Sequence, residues 1–325
     1  VTRVGLRPVA RQTRAYFAPV DPVNGPTAIF DPSQNAGFQL DAPPAPWIDL
    51  GWVENFQRTS TSQIEGLPGG AVGAVAAQAR RALGARVEFE FRDWGKLQMA
   101  LANGAEHMNV LATEPNASPE GSGGVPLPAV PLLSGSTEEE LVVGAGAVAG
   151  FAVGDVVACD VDYAQQVGYV GTGIAAAYVQ NPEDVRQDAN YVRRVTFNVG
   201  RVAQTTSTSL VLAQALPGGT PAAGASVQQV IAFVDREGGS FLQKWSGLFV
   251  MEEESGGRVC FYYPILSPCT VKAAWQRESL VQIQKPIGEM ALQAAFTAMP
   301  TVDGNDSAVV LCYRSYFPAS AADVY

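Results

Sequence analysis

Side chains able to do chemistry are few and widely spaced. His107 is the single histidine in 325 residues. A Ser-His-Asp hydrolase would need it beside an elbow-mounted serine, and no G-x-S-x-G occurs. His107 therefore reads as a structural residue. Zinc sites need several His or Cys at short spacing. Cys159, Cys260, Cys269 and Cys312 show no C-x-x-C and read as free core thiols of a protein made inside a cell. G-x-G-x-x-G and G-x-x-x-x-G-K-[ST] are absent, so no phosphate cradle is indicated. Asp303 to Asp306 (DGND) has the look of a calcium-loop fragment but lacks its spaced ligands and closing Glu, and reads as a polar turn. Glu138–Glu140 and Glu252–Glu254 read as solvated or partner-facing charge. Paired carboxylates for glycoside chemistry stay open, with no pair selected. The expectation is a protein that is not an enzyme, with no catalytic residue, cofactor or metal.

What stands out instead is PWIDLGWVENFQRTSTSQIEG, Pro46 to Gly66. Trp47 and Trp52 bracket a Gly among mixed charges, and a Ser/Thr run follows. Alone, this reads as an aromatic contact patch. The chain is acidic, with 31 Asp+Glu against 21 Lys+Arg and a net charge of −10. A protein gripping phosphates needs the opposite balance. The bases cluster early: Arg3, Arg7, Arg11 and Arg14 precede the first acid, Asp21. They read either as a solvated arm or as an arm docking on acidic patches of a neighbouring subunit.

Charged residues are only 16% of the chain and hydrophobic ones 47%. That buries a core easily and leaves little charge for a monomer's surface. A subunit that covers itself with its own copies resolves this. No apolar run is long enough to cross a bilayer, and no signal-peptide core opens the chain, whose start at Val1 reads as loss of an initiator Met.

The elements that would carry these residues are mostly strands, given frequent Gly, Pro, Val, Thr and aromatic runs. Residues 1–46 are Pro-punctuated and read as an extended arm and loop, with RAYFAPV a possible strand. ARVEFEFRDW alternates Val87, Phe89 and Phe91 with Glu88, Glu90 and Arg92, a half-buried strand. A short helix capped by Asp93 follows, with Trp94, Leu97 and Leu101 on one face and Gly104 ending it. The Ala-rich segment 71–84 is ambiguous and leans to strand. After a Pro/Gly/Ser connection over 113–136, five or so short strands suggest a small barrel or sandwich. KWSGLFVMEEESGGRVCFYYPIL then reads as a hairpin turning at Ser255–Gly257. MALQAAFTAMP reads as strand or helix, and SAVVLCYRSYFP as a final strand. The expected division is an arm over 1–46, a discontinuous core over 47–136 and 236–325, and a β insertion over 137–235.

Three segments carry a family resemblance. WIDLGWVENFQR (Trp47–Arg58), VEFEFRDWGKLQMALANG (Val87–Gly104) and MPTVDGNDSAVVLCYRSYFP (Met299–Pro318) resemble, in order, the early segment, the strand-then-helix passage and the closing strand pair of phage major tail proteins, the tail tube family. The long arm and the insertion depart from the minimal subunit. The resemblance implies a mainly-β fold, a sandwich or partial barrel with one helix. It implies a virion protein made in the host cytoplasm, assembled as stacked hexameric rings with other tail proteins and without a membrane. DNA would pass through the lumen without specific binding, repelled by its acidic wall. Glu88, Glu90 and Arg92 are then candidates to face the lumen. Arg3, Arg7, Arg11, Arg14, Trp47 and Trp52 are candidates for contacts between subunits, and the insertion would decorate the exterior. Alternatives are another phage assembly protein (capsid, decoration or baseplate subunit) and a carbohydrate-active β-enzyme.

Overall fold

The structure is a computed structural model that describes residues 10–21, 24–33, 38–44, 46–69, 74–92, 95–104, 106–112, 127–160, 198–216, 219–221, 223–236, 243–254, 256–269 and 292–318. It divides into two units, one drawn from Val1–Gly104 and Leu242–Tyr325, the other from Ala105–Phe241. In chain order the elements are β1 (Ala10–Asp21), β2 (Gly25–Pro26), β3 (Ile48–Gly69), β4 (Ala74–Phe91), α1 (Lys96–Asn103), β5 (Glu106–Leu111), β6 (Val130–Pro131), β7 (Glu140–Val142), α2 (Ala145–Val148), β8 (Val156–Asp160) and β9 (Val199–Thr205). There follow β10 (Ser209–Leu212), β11 (Ser226–Arg236), β12 (Trp245–Glu253), β13 (Arg258–Pro268), β14 (Leu292–Ala298), β15 (Thr301–Val302), β16 (Val309–Val310) and β17 (Tyr313–Phe317). The mainly-β class expected from the sequence is the one the chain adopts.

In the first unit, antiparallel pairing runs β12-β1-β3-β4-β14-β13, and β13 pairs back to β12. Between sandwich and partial barrel, the chain thus takes a six-stranded ring. Closure gives each ring strand a neighbour on both sides, with β1–β3 and β13–β14 joined over short stretches only. β13 serves two neighbours on one side, β17 along Arg258–Tyr262 and β14 along Leu266–Pro268. The interior is aromatic. Phe17, Phe89, Phe249 and Phe296 come from four strands, and Phe17 meets the other three at 5.1–6.1 Å between ring centres. The edge-on geometry of these contacts suits the ring quadrupoles. Gly247 makes room for them, since a Cβ there would lie 2.5 Å from Leu266 Cδ1. Outside the ring, a second cluster sets Phe30, Phe38 and Trp47 over Tyr16, Leu248 and Tyr262. Two tyrosine hydroxyls tie this layer down: Tyr16 donates to the Leu40 carbonyl at 3.0 Å and Tyr262 to that of Ala28 at 2.9 Å.

Residues 10–21 and the described part of 24–44 are therefore not an extended arm. β1 is a ring strand between β12 and β3, and Ala15, Tyr16, Phe17 and Ala18 are each 0% exposed. A strand covered on both faces shows an apolar run rather than alternation, so its sequence lacks the half-buried signature.

β4 alternates as expected, with Val87, Phe89 and Phe91 buried. The Ala-rich segment is strand from Ala74 onward. α1 lies where the sequence puts it, and Gly104 ends it at φ +59°. Asp93 and Trp94, its expected cap and face residue, lie outside the described residues, as do 113–126, 161–197 and 270–291. β14 resolves MALQAAFTAMP as strand, and the final strand splits into β16 and β17.

The second unit begins at Ala105 rather than 137 and ends at Phe241 rather than 235. The reason is that β5 pairs along β11, and β6 pairs with the other end of β11. Its strands run β5-β11-β8-β9-β10-β7. The Leu133 amide donates to the Val142 carbonyl at 2.8 Å, joining the β6 end to β7 and wrapping the sheet into a barrel-like shape. Leu141, Val157, Val202, Leu210 and Val227 form its core, partly covered by Leu132, Val148 and Phe151. Within the stretch expected as short strands, Ala145–Val148 instead forms the short helix α2.

Candidate functional site

β3 and β4 run far past the ring that they help to build. β3 pairs with β1 only over Ile48–Val53, and β4 pairs with β14 only over Ala85–Phe91. Beyond that, among the described residues, the two strands pair only with each other, from Thr61↔Gly84 out to Gly69↔Ala74. At strand rise this is a ribbon roughly 30 Å long. Residues 59–66 are all exposed, as are Gln78, Arg80, Ala82 and Leu83, so neither face is covered. Ile64 is 58% and Leu83 39% exposed. Both outer edges of the ribbon lack a strand partner among the described residues. Small and β-tolerant residues (Thr, Ser, Ala, Val) recur in it.

At the ribbon's base lies the polar face of β4. Glu88, Glu90 and Arg92 share that face, but they are differently engaged. Glu90 is only 8% exposed, and its carboxylate accepts from Asn55 Nδ2 at 2.8 Å and Gln293 Nε2 at 2.6 Å. Asn55 takes φ +51° where the β3–β4 register shifts between Glu54 and Gln57. That irregularity allows Asn55 to reach Glu90 while Phe56 packs on Phe249 at 4.7 Å. Glu88 pairs with Arg86, and Arg92 Nε meets Glu54 Oε1 at 2.9 Å, both half-exposed. A shallow pocket of about 240 Å³ lies among Asn55, Gln57, Glu88, Glu90 and Gln293. Among the described residues no group of three His, Cys, Asp or Glu could hold a metal ion. The chemistry on offer here is a display of fixed charge.

The residues considered for subunit contacts separate into three kinds. Arg3 and Arg7 lie outside the described residues, and Arg11 lies within β1. Trp47 is 6% exposed in the outer aromatic layer, with ring centres 6.2 Å from Phe38 and 6.1 Å from Tyr262. Arg14 and Trp52 meet each other, the guanidinium lying 5.4 Å from the indole and 5.7 Å from the Tyr16 ring. Arg14 also pairs with Asp49, and its Nη1 donates to Asp41 at 2.6 Å. Its hydrogen bonds to Asp49 hold its pKa above the ordinary arginine value against the opposing effect of burial. Arg14 thus pins the 38–52 segment to β1, much as a bidentate clamp does.

The Ser/Thr run after Arg58, read from sequence only as part of an aromatic contact patch, forms half of a projecting ribbon. The signal was present: runs of small residues lie on both sides of the Gly69-Gly70 pair. His107 lies on β5, and Cys159, Cys260, Cys269 and Cys312 are free. No helix among the described residues is long and apolar enough to cross a membrane. Compared with protein-family models and with curated sequences, the chain finds no match.

Proposed function

We propose that this chain is a structural subunit of a phage tail tube, assembling with copies of itself into stacked rings through which DNA passes. The ribbon is the observation that carries the reading. An isolated two-stranded ribbon is marginal in water, and each of its open edges presents about ten unpaired backbone N–H and C=O groups. Such an edge is a template for another chain's strand, and a copy of the same chain offers a matching one. The ring beneath it is closed and densely aromatic, a rigid base for a projecting arm. Low charge content and a net charge of −10 support a subunit whose exposed surface belongs to the assembly. Glu88 and Arg92 at the ribbon's base are the residues proposed to face the lumen, whereas Glu90, first considered with them, is buried beneath and held by Asn55 and Gln293. An acidic wall there would let DNA slide rather than stick.

The test is negative-stain microscopy with light scattering on purified protein. Rings or tubes are expected at high concentration from the natural sequence. Ile64→Asp with Leu83→Asp is expected to leave a folded monomer with an unchanged melting temperature. Compact monomers at every concentration of the natural sequence, or tubes formed equally well by the double variant, would sink the reading.

A further inference from the structure

A cleft of about 690 Å³ opens in the first unit where the residues after β1 face β13, β15 and β17. Phe30, Tyr262 and Pro264 give it an apolar floor. Its lining includes Ile29 and Val302, apolar residues 76% and 69% exposed. Asp31 and Asp303 are its carboxylates, and Arg314 is its one cation. Tyr313 stacks on Tyr262 at 6.0 Å and donates to Asp303 Oδ2 at 2.6 Å, while the Asn305 amide donates to Oδ1 at 2.8 Å. Those bonds, the Tyr313 hydroxyl foremost, keep the Asp303 carboxyl ionised below its ordinary range. The cleft therefore combines an aromatic and proline floor with fixed negative charge at its rim. Such floors take extended, proline-containing segments, and acidic rims select basic ones.

The nine residues that precede Ala10, VTRVGLRPV, have that chemistry. Along an extended chain, Val4, Leu6 and Pro8 fall on one side and Arg3 and Arg7 on the other. Nine residues reach roughly 30 Å. We propose that this cleft receives residues 1–9 of a second copy, with the Val4–Leu6–Pro8 side on the Phe30–Tyr262 floor and an arginine on Asp303. The proposal rests on the self-assembly reading for the source of the segment. It goes beyond that reading in naming a second contact, distinct from the ribbon.

The experiment uses the full chain carrying Arg3→Glu and Arg7→Glu, which frees the cleft of its own segment. A fluorescent peptide of residues 1–12 (VTRVGLRPVARQ) is titrated against it by fluorescence anisotropy. Saturable binding is expected. A scrambled peptide, and the same chain with Asp303→Lys or Val302→Asn, should each bind about tenfold more weakly. Affinity should also fall as salt rises, because the rim is exposed. No saturation, or unchanged affinity in both cleft variants with their melting temperatures retained, overturns the proposal. Tubes without peptide binding defeat the cleft reading alone. Peptide binding by a chain whose natural form never self-associates defeats the second-copy assignment together with the assembly reading.

Discussion

Truncating Trp47 to alanine separates a core role from a subunit-contact role. The indole is 6% exposed and belongs to the outer cluster with Tyr16, Phe38, Leu248 and Tyr262. A buried tryptophan removes about 200–250 Å² from water, which at roughly 25 cal/mol/Å² gives about 5–6 kcal/mol. That figure is an upper bound because the unfolded chain already hides part of the side chain. The two edge-on ring contacts, at 6.2 and 6.1 Å, are lost as well, while partial collapse of the loop over the hole recovers some energy. Measured truncations of this kind cost about 3–5 kcal/mol. For a unit of this size each kcal/mol moves the melting temperature by roughly 2–4 °C, so about 4 kcal/mol becomes roughly 8–16 °C. Scanning calorimetry of the whole chain should show that fall in the first unit's transition and none in the second's. Trp52→Ala, which loses chiefly the Arg14 contact, should shift it by only about 2–4 °C. If Trp47→Ala lowers the transition by less than about 3 °C yet abolishes ring formation, the packing argument is wrong and the indole serves a neighbouring copy.

Lys96 is 8% exposed at the start of α1, and burial pushes its ammonium down to about 7. Its folded pKa lies below the unfolded value of 10.5, so the penalty is complete below pH 7 and is relieved as pH rises from about 7 to 10.5. Lys96→Met should raise the melting temperature near pH 6–7, and the difference from the natural sequence should shrink across that window; a constant difference would refute the account. Glu90→Gln removes two charge-assisted hydrogen bonds and should cost about 1–3 kcal/mol in chemical denaturation, whereas Glu88→Gln should cost under about 0.5 kcal/mol. Equal effects would show that the Asn55–Glu90–Gln293 cluster is not structural. Asp49→Asn should destabilise by about 1–2 kcal/mol while Asp41→Asn, whose side chain is 93% exposed, changes little. The reverse order would misassign the clamp on Arg14. Replacing 105–241 by a short Gly/Ser linker should leave the first unit's transition and its tubes intact, as read by calorimetry and microscopy.

Much of the local structure was legible in the residues. Val87, Phe89 and Phe91 alternate with charge because one side of β4 faces the ring's interior, and period two records that directly. Gly104 had to end α1, since a side chain there would meet Pro268 at 2.7 Å as well as an unfavourable φ. The β12–β13 hairpin was visible through the glycines of its turn, with Gly256 at φ +86°. β1 was only partly legible: RAYFAPV stood out as a possible strand, but Pro19 and an unbroken apolar run hid the length of a strand buried on both faces and its place in the ring. Of the candidate site, the charged face of β4 was readable, but the engagement of Glu90 with Asn55 and Gln293 was not. Gln293 lies 203 positions away and is delivered by β14.

By itself, then, the sequence determined the mainly-β class, the side of β4 that faces the core, and the helix at Lys96–Asn103. These follow from spacing within a few residues. Tertiary structure alone decided that β1, β3, β4 and β12–β14 close into a ring, that β5 joins β11 across more than a hundred positions, and that β3 and β4 outrun their partners to leave a bare ribbon. The physical reason is that strand pairing is made by backbone groups every residue carries. Which strand meets which, and where a ladder stops, is set by packing between distant side chains rather than by any local pattern.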